Sequence, residues 1–200
     1  MSQLEHWDER YRQPDQAPWD TGRPSAELER QLAKRKLAPC RAIELGCGTG
    51  TNAVWLAQQG FDVTGIDLSP TAIERAKAKA TEAGVQVRFL QADVFALLDL
   101  GPAFPFFFDR GCYHVVRRVN AAGFLRTLQS ITATGAEGLV LTGNAKEPHS
   151  PGPPVVTEAE IRAELGGAFE IVSLEEFRFD QDPITNTRFL GWSCWLKKKK

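Results

Sequence analysis

Ala42-Ile43-Glu44-Leu45-Gly46-Cys47-Gly48-Thr49-Gly50 is the stretch on which the reading of this chain turns. A short apolar run carrying one acid, Glu44, stops at three glycines in alternation. A helical pattern then opens at Thr51 and runs through Asn52, Ala53, Val54, Trp55, Leu56 and Ala57. Strand, glycine loop and helix in that order set bare backbone and a helix N-terminus beside a nucleotide-like ligand. Glycine admits conformations closed to other residues and lets a ligand lie against the main chain. The stretch by itself leaves the ligand open.

The composition around it narrows the setting. Two hundred residues with 42% hydrophobic content suit one domain with one sizeable core. Residues 1–39 are expected to form a lid and a helix, 40–145 a cofactor-binding core, and 146–200 a loop, a helix and a hairpin. A formal charge of -1 and a pI near 6.3 supply no field that would draw the chain onto nucleic acid or an anionic membrane. The expected partner is a small-molecule acceptor, with the protein a monomer or weak homodimer. Cys40, Cys47, Cys112 and Cys194 contain no C-x-x-C pair, so neither a metal site nor a disulfide framework is expected. Reduced thiols, and an N-terminus without the apolar centre of a signal peptide, point to a cytoplasmic protein. Lys197 to Lys200 read as a solvated tail without function.

Working outward along the chain, residues 1–24 are polar and turn-rich yet carry Trp7, Tyr11 and Trp19, so this segment is expected to fold back over the body. An amphipathic helix capped by Ser25 ends near Pro39. Arg41 to Leu45 is the first strand and Thr51 to Gln59 the next helix, stopped by Gly60. Phe61 to Asp67 alternates as a second strand. Ser69 at the cap and Pro70 at the first helical position open a helix to Ala83. Further strands are expected at Val85 to Leu90, Pro105 to Phe108 and Gly138 to Thr142. Helices are expected at Val119 to Ala133 and, capped by Thr157, at Glu158 to Leu165. Phe169 to Phe177 and Arg188 to Leu196 have no helix between them and should pair antiparallel, joined by a connection containing Pro183. Trp192 and Trp195 lie three apart in a strand and should face opposite sides. The result is an α/β, doubly wound, seven-stranded, mostly parallel sheet with an antiparallel C-terminal hairpin.

In an open parallel sheet, ligands sit beyond the carboxyl ends of the strands. The glycine loop, Asp67, Asp93 and the segment Asp109-Arg110-Gly111-Cys112-Tyr113-His114 would all converge there. A dinucleotide fingerprint would be G-x-G-x-x-G, whereas Gly46, Gly48 and Gly50 alternate strictly, and no P-loop lysine is present. Glu44 to Gly50, followed by Gly65-Ile66-Asp67-Leu68-Ser69-Pro70, resembles the class I S-adenosylmethionine-dependent methyltransferase family, whose Rossmann-like fold matches the expected sheet. The resemblance implies S-adenosyl-L-methionine as cofactor. Asp67 would accept from the ribose hydroxyls and Leu68 would pack on the adenine. Asp93 and the amide of Val94 would read the ring, and the methionine moiety would lie along Gly46, Cys47, Gly48 and Gly50 near Asp109. Asp67 could instead serve only the helix start at Ser69, Asp93 could only cap a turn, and Glu44 could orient the loop or touch the ligand.

A narrower resemblance rests on Pro18-Trp19-Asp20-Thr21-Gly22-Arg23-Pro24, on Asp109 to His114 and on Gly152-Pro153-Pro154. These patches are similar to the branch of thiopurine, thiol and halide methyltransferases and their tellurite-resistance relatives. The resemblance implies that Trp19 lies in a lid over cofactor and acceptor. Methyl transfer from a sulfonium is an in-line displacement governed by alignment and exclusion of water. A thiolate or halide acceptor needs little base, since free thiols have a pKa of about 8.5. Asp109, Arg110, Tyr113 and His114 are the candidate catalytic residues, with Arg110, Tyr113 and His114 able to meet an anion. A hydroxyl acceptor would want His114 as general base, which keeps a small-metabolite O- or N-methyltransferase open. So does a cofactor-binding module without catalysis. Tyr113 and His114 could also simply pack at a helix start, Arg110 could pair with Asp109, and Arg117-Arg118 reads as a solvated face.

Overall fold

The computed structural model describes residues 2–13, 17–97, 100–101, 103–148, 152–182 and 186–200. Six helices, α1 (Gln3–Arg12), α2 (Ala26–Arg35), α3 (Thr51–Gln58), α4 (Pro70–Glu82), α5 (Cys112–Ile131) and α6 (Glu158–Leu165), pack around one sheet among the described residues. Its strands are β1 (Arg41–Leu45), β2 (Asp62–Asp67), β3 (Arg88–Gln91), β4 (Phe104–Arg110), β5 (Thr132–Asn144), β6 (Val155–Val156), β7 (Phe169–Arg178) and β8 (Leu190–Lys198). Seven lie in the order β3-β2-β1-β4-β5-β8-β7, and β6 adds two residues beside the end of β5. β8 alone runs against its neighbours, pairing antiparallel with β5 and β7. The expected parallel sheet closed by a hairpin is what forms.

Side chains alternate across the pleat and fill two cores. Phe106, Phe108 and Trp195 join the core beneath α2, α3 and α4, while Ile43, Leu45, Phe107 and Trp192 join the core beneath α5 and α6. Trp192 and Trp195 do face opposite sides. Fully burying one such aromatic stabilises the fold by roughly 1.5–3 kcal/mol. Gly138 lies opposite Phe107 on β5 because a Cβ there would stand 2.1 Å from the Phe107 ring. No described helix is long and apolar enough to cross a membrane.

Several local expectations are corrected. The N-terminal cover is a helix, α1, opened by a capping box between Ser2 and Glu5. α5 begins at Cys112 rather than Val119, because the left-handed Gly111 (φ 91) turns the chain directly off β4. A kink at Asn120 interrupts its periodicity. β3 starts at Arg88 rather than Val85, and β5 starts six residues early at Thr132. Ser25 makes no side-chain cap; its amide instead donates to Asn52 Oδ1 at 2.9 Å. Lys198 and Lys199 are not merely solvated. Their ammonium groups donate to carbonyls at the ends of α5 and α6, including Gln129 and Gly166, where cations suit the helix dipole. Pro183 lies outside the described residues.

Candidate functional site

A cleft of about 900 Å³ opens beyond the carboxyl ends of the strands. Gly46, Gly48 and Gly50 all take left-handed φ, at 62°, 53° and 75°. The loop is tied down from below, with Cys47 N donating to Ile66 O at 2.8 Å and Gly50 N to Cys47 O at 2.9 Å. Asp67 accepts from Gly48 N at 2.8 Å and from Ser69 N at 2.9 Å, one amide on each oxygen. The Leu68 amide also bears on the carboxylate, whose roughly four acceptor sites still leave room for a further donor. Burial pushes its pKa up despite those amides. Asp67, Leu68, Asp93 and Val94 line the cleft together, and Asp93 also accepts from Phe95 N at 2.9 Å in a local turn.

Behind the loop the sheet is unusually polar. Glu44 accepts from Asn52 Nδ2 at 3.0 Å, and Asp109 accepts from Tyr113 N at 2.9 Å. Both carboxyls are fully enclosed, and burial pushes each up to about 8, against the Asn52 contact in one case and the amides at the start of α5 in the other. Glu44 Oε2, Asp109 Oδ1, Arg110 Nε, Thr142 Oγ1 and Asn144 Nδ2 are buried without a hydrogen-bond partner. All five sit at the carboxyl ends of β1, β4 and β5. Of these residues Glu44 and Arg110 border the open space above the loop; a carboxyl, a guanidinium and the acceptor oxygens of Asp67 suit a polar ligand carrying hydroxyl, amine and carboxylate groups, and the glycine backbone suits its close approach. The residues present therefore fit S-adenosylmethionine.

The opposite wall is assembled from distant segments. Trp19 Nε1 donates to Tyr11 Oη at 3.1 Å, and Trp7 meets the Trp19 ring edge-on at 5.8 Å. A Cβ on Gly48 would fall 2.7 Å from Tyr11 Oη, so α1 rests directly on the glycine loop. Arg110 donates to the Trp19 carbonyl at 3.0 Å and faces Asp180 at 3.7 Å. It does not pair with Asp109. Burial lowers its pKa, countered first by Asp180 and then Glu44. Val115, Val116, Phe179, Pro153 and Pro154 complete an apolar surround.

His114 lines the same space, and its Nδ1 accepts from Gly143 N at 3.2 Å. Burial, with Arg110 and Arg118 nearby, pushes its pKa down to about 3. The ring is therefore neutral, with its proton assigned to Nε2 by the Gly143 bond. It can donate to a ligand, but its lone pair is already engaged. Gly111 packs on that edge of the ring, since a Cβ there would lie 3.2 Å from Nε2.

Tyr113 is the candidate that the structure turns away. Its hydroxyl donates to Glu164 on α6 at 2.8 Å, and its ring packs on Phe124 at 5.6 Å. Helical geometry sends neighbouring side chains about 100° apart, so His114 and Tyr113 cannot share a direction. Arg117 is likewise no solvated residue: its side chain is 12% exposed and bonded to Glu160 and Glu164. The remaining candidates, Trp19, Glu44, Gly46, Cys47, Gly48, Gly50, Asp67, Leu68, Asp93, Val94, Asp109, Arg110 and His114, gather at the cleft or directly behind it. The sequence reading missed Asp8, which joins α1 to the start of α4, and the cleft residues Gln3, His6 and Arg10. The capping pattern Ser2-x-x-Glu5 could have revealed the helix that carries them.

Comparison with known proteins agrees with this geometry. The family model described as thiopurine S-methyltransferase matches residues 2–193. The 2-heptyl-1-hydroxyquinolin-4(1H)-one methyltransferase of Mycobacteroides abscessus is 30% identical over 148 residues, covering 72% of this chain and 65% of that protein. The chain thus spans just under two thirds of that relative's length. The thiopurine S-methyltransferase of Pseudomonas fluorescens is 27% identical over 152 residues, 67% of either chain. A solved structure described as "Conversion of a Disulfide Bond into a Thioacetal Group during Echinomycin Biosynthesis" superposes with a TM-score of 0.84 at 26% identity, covering 99% of this chain and 93% of that one.

Proposed function

The chain belongs to the thiopurine S-methyltransferase family, and from that premise we propose that it transfers a methyl group from S-adenosylmethionine to a small acceptor arriving as an anion, a thiolate first of all. The cofactor would be held by the backbone of Gly46 to Gly50, by Asp67 and Leu68, and by Asp93 with the amide of Val94. When bound, it supplies an electrophilic methyl group on a sulfonium.

The observation that carries the acceptor reading is the hydrogen bond from Gly143 N to His114 Nδ1. A general base at this point needs a free lone pair directed at the substrate. His114 presents an N–H instead, beside the guanidinium of Arg110. Such a pair favours an acceptor already ionised and does little for a neutral alcohol. Trp7, Tyr11 and Trp19 exclude water above it, and Arg110 holds that cover through the Trp19 carbonyl. Alignment and desolvation then supply most of the rate. A cytoplasmic location belongs to the same proposal, as the setting in which unpaired thiols persist.

The test is S-adenosylhomocysteine release with S-adenosylmethionine and a panel of thiols, iodide and acidic N-hydroxy compounds, the last included because the Mycobacteroides relative is named for a hydroxyquinolinone. Turnover should track the ionised fraction of each acceptor. Turnover of neutral alcohols in preference to these anions would overturn the proposal. Tight cofactor binding without turnover on any of them would favour the binding-module alternative.

A further inference from the structure

We propose that Asp8 is a positioning residue for Asp67, so that seating of α1 and presentation of the cofactor acid are one event. This rests on the reading of Asp67 and the glycine loop as the cofactor cradle.

Asp8 is a carboxylate only 2% exposed on the inward face of α1, beside the buried Tyr11. Its Oδ1 accepts from Ser69 Oγ at 2.7 Å and from Thr71 N at 3.0 Å. Thr71 N–H is one of the amides that an α-helix leaves without a partner at its start. Ser69 satisfies the next, accepting from Ala72 N at 3.1 Å. The beginning of α4 is thus capped twice, once locally by Ser69 and once from across the chain. A negative charge there is favoured by the helix dipole, and Arg12 pairs with the other oxygen at 2.7 Å. The Ser69 and Thr71 hydrogen bonds hold the Asp8 pKa low against its burial.

The amides of Ser69 and Gly48 fix the two oxygens of the Asp67 carboxylate, with the Leu68 amide beside them. α1 covers both residues. Asp8 holds Ser69 by its hydroxyl, and Tyr11, one turn further along, rests on Gly48. Lifting α1 would free Ser69 to rotate and release the loop, so Asp67 would lose its fixed orientation without losing a direct contact.

The experiment measures S-adenosylhomocysteine affinity by calorimetry in the full chain, with steady-state kinetics alongside. Wild-type binding tests the cradle reading itself; the variants test Asp8. Asp8→Ala should weaken binding about tenfold or more, the scale of a lost buried charge-assisted bond, and raise the cofactor KM while kcat at saturation moves little. Asp8→Asn keeps an acceptor oxygen and should recover most of the affinity. Ser69→Ala should weaken binding similarly, and the double variant should be no worse than either single one, since the two act in series. Glu9→Ala, on the outward side of α1, is the control for general helix stability. Wild-type affinity in Asp8→Ala would overturn the inference. So would an equal loss in Glu9→Ala, or fully additive effects of Asp8→Ala and Ser69→Ala. Should Asp8→Ala fail to fold, Asp8→Asn and Ser69→Ala alone decide, because wild-type binding in Ser69→Ala would equally overturn it.

Discussion

On the proposed reading, the donor half of the cleft draws its side chains from residues 44–94, in chain order, as each strand ends, and the other half would receive the acceptor. The acceptor half takes Trp7 and Tyr11 from α1, Trp19 from the turn after it, Arg110 and His114 from the β4–α5 junction, Pro153 and Pro154 from the loop before β6, and Phe179 from beyond β7. The donor half is fixed mainly by backbone bonds between neighbouring elements, such as Cys47 N to Ile66 O. The acceptor half is fixed by side chains that reach across long stretches of chain, such as Arg110 to the Trp19 carbonyl. If the proposed transfer holds, a site built this way could change its acceptor by altering peripheral segments while the donor cradle stays the same.

Substitutions should separate the two halves, and the largest effect belongs to the donor side. Gly50→Val places a Cβ 2.7 Å from the Phe89 ring and 2.8 Å from Ala76 Cβ at a φ of +75°. Overpacking and left-handed strain together should cost about 3 kcal/mol or more of stability. Thermal denaturation should show a drop of roughly 6–12 °C, with cofactor binding lost; a variant that melts and binds as wild type would break the division.

On the acceptor side, His114→Ala should lower kcat/KM for thiols roughly 10–100-fold while leaving S-adenosylhomocysteine affinity intact. Kinetics and calorimetry on one preparation check both. A fall in cofactor affinity of the same size would mean that the halves are not separable at this residue.

A smaller effect concerns pH. His114 is pushed from 6.5 down to about 3 on folding, so the unfolded chain takes up a proton that the folded one refuses. Its contribution is fully present above pH 6.5 and declines as pH falls towards 3. Chemical denaturation across that window should show stability falling with acid, and falling less in His114→Gln. The wild-type rate profile should carry no inflection near 6.5 from this residue. The smallest effect is expected for Tyr113→Phe, which removes the bond to Glu164. It should cost about 1 kcal/mol of stability with thiol turnover unchanged.

Legibility in the sequence followed the same division. β1, α3, β2 and α4 came within a residue or two of their true bounds, because Gly46 to Gly50, Gly60 and Ser69-Pro70 are local punctuation whose physics acts within a few residues. α1 was missed because its inward face is Trp7, Asp8 and Tyr11, two aromatics and a carboxylate, which apolar periodicity cannot detect. The partner that makes Asp8 buriable, Ser69, stands 61 residues away. The start of α5 was hidden by Asp109-Arg110-Gly111, which reads as loop although Gly111 turns straight into helix. The roles of Tyr113 and His114 could not be told apart in sequence, since only the rotation of α5 on the sheet sends one ring to α6 and the other to the cleft.

The reversed strand β8 has a consequence for how the chain folds. It lies between β5 and β7, pairing Thr142 with Trp192 and Glu176 with Trp192 from either side. Until those late residues arrive, the apolar edge of β5, including Leu139 and Leu141, has no neighbour there. Such long-range pairing is slow to form, and an unpaired apolar edge is a template for other chains. During synthesis β1 to β4 can therefore assemble while the sheet still has an open seam, and crowding or heat at that stage would favour aggregation through β5 rather than through the glycine-loop side of the sheet.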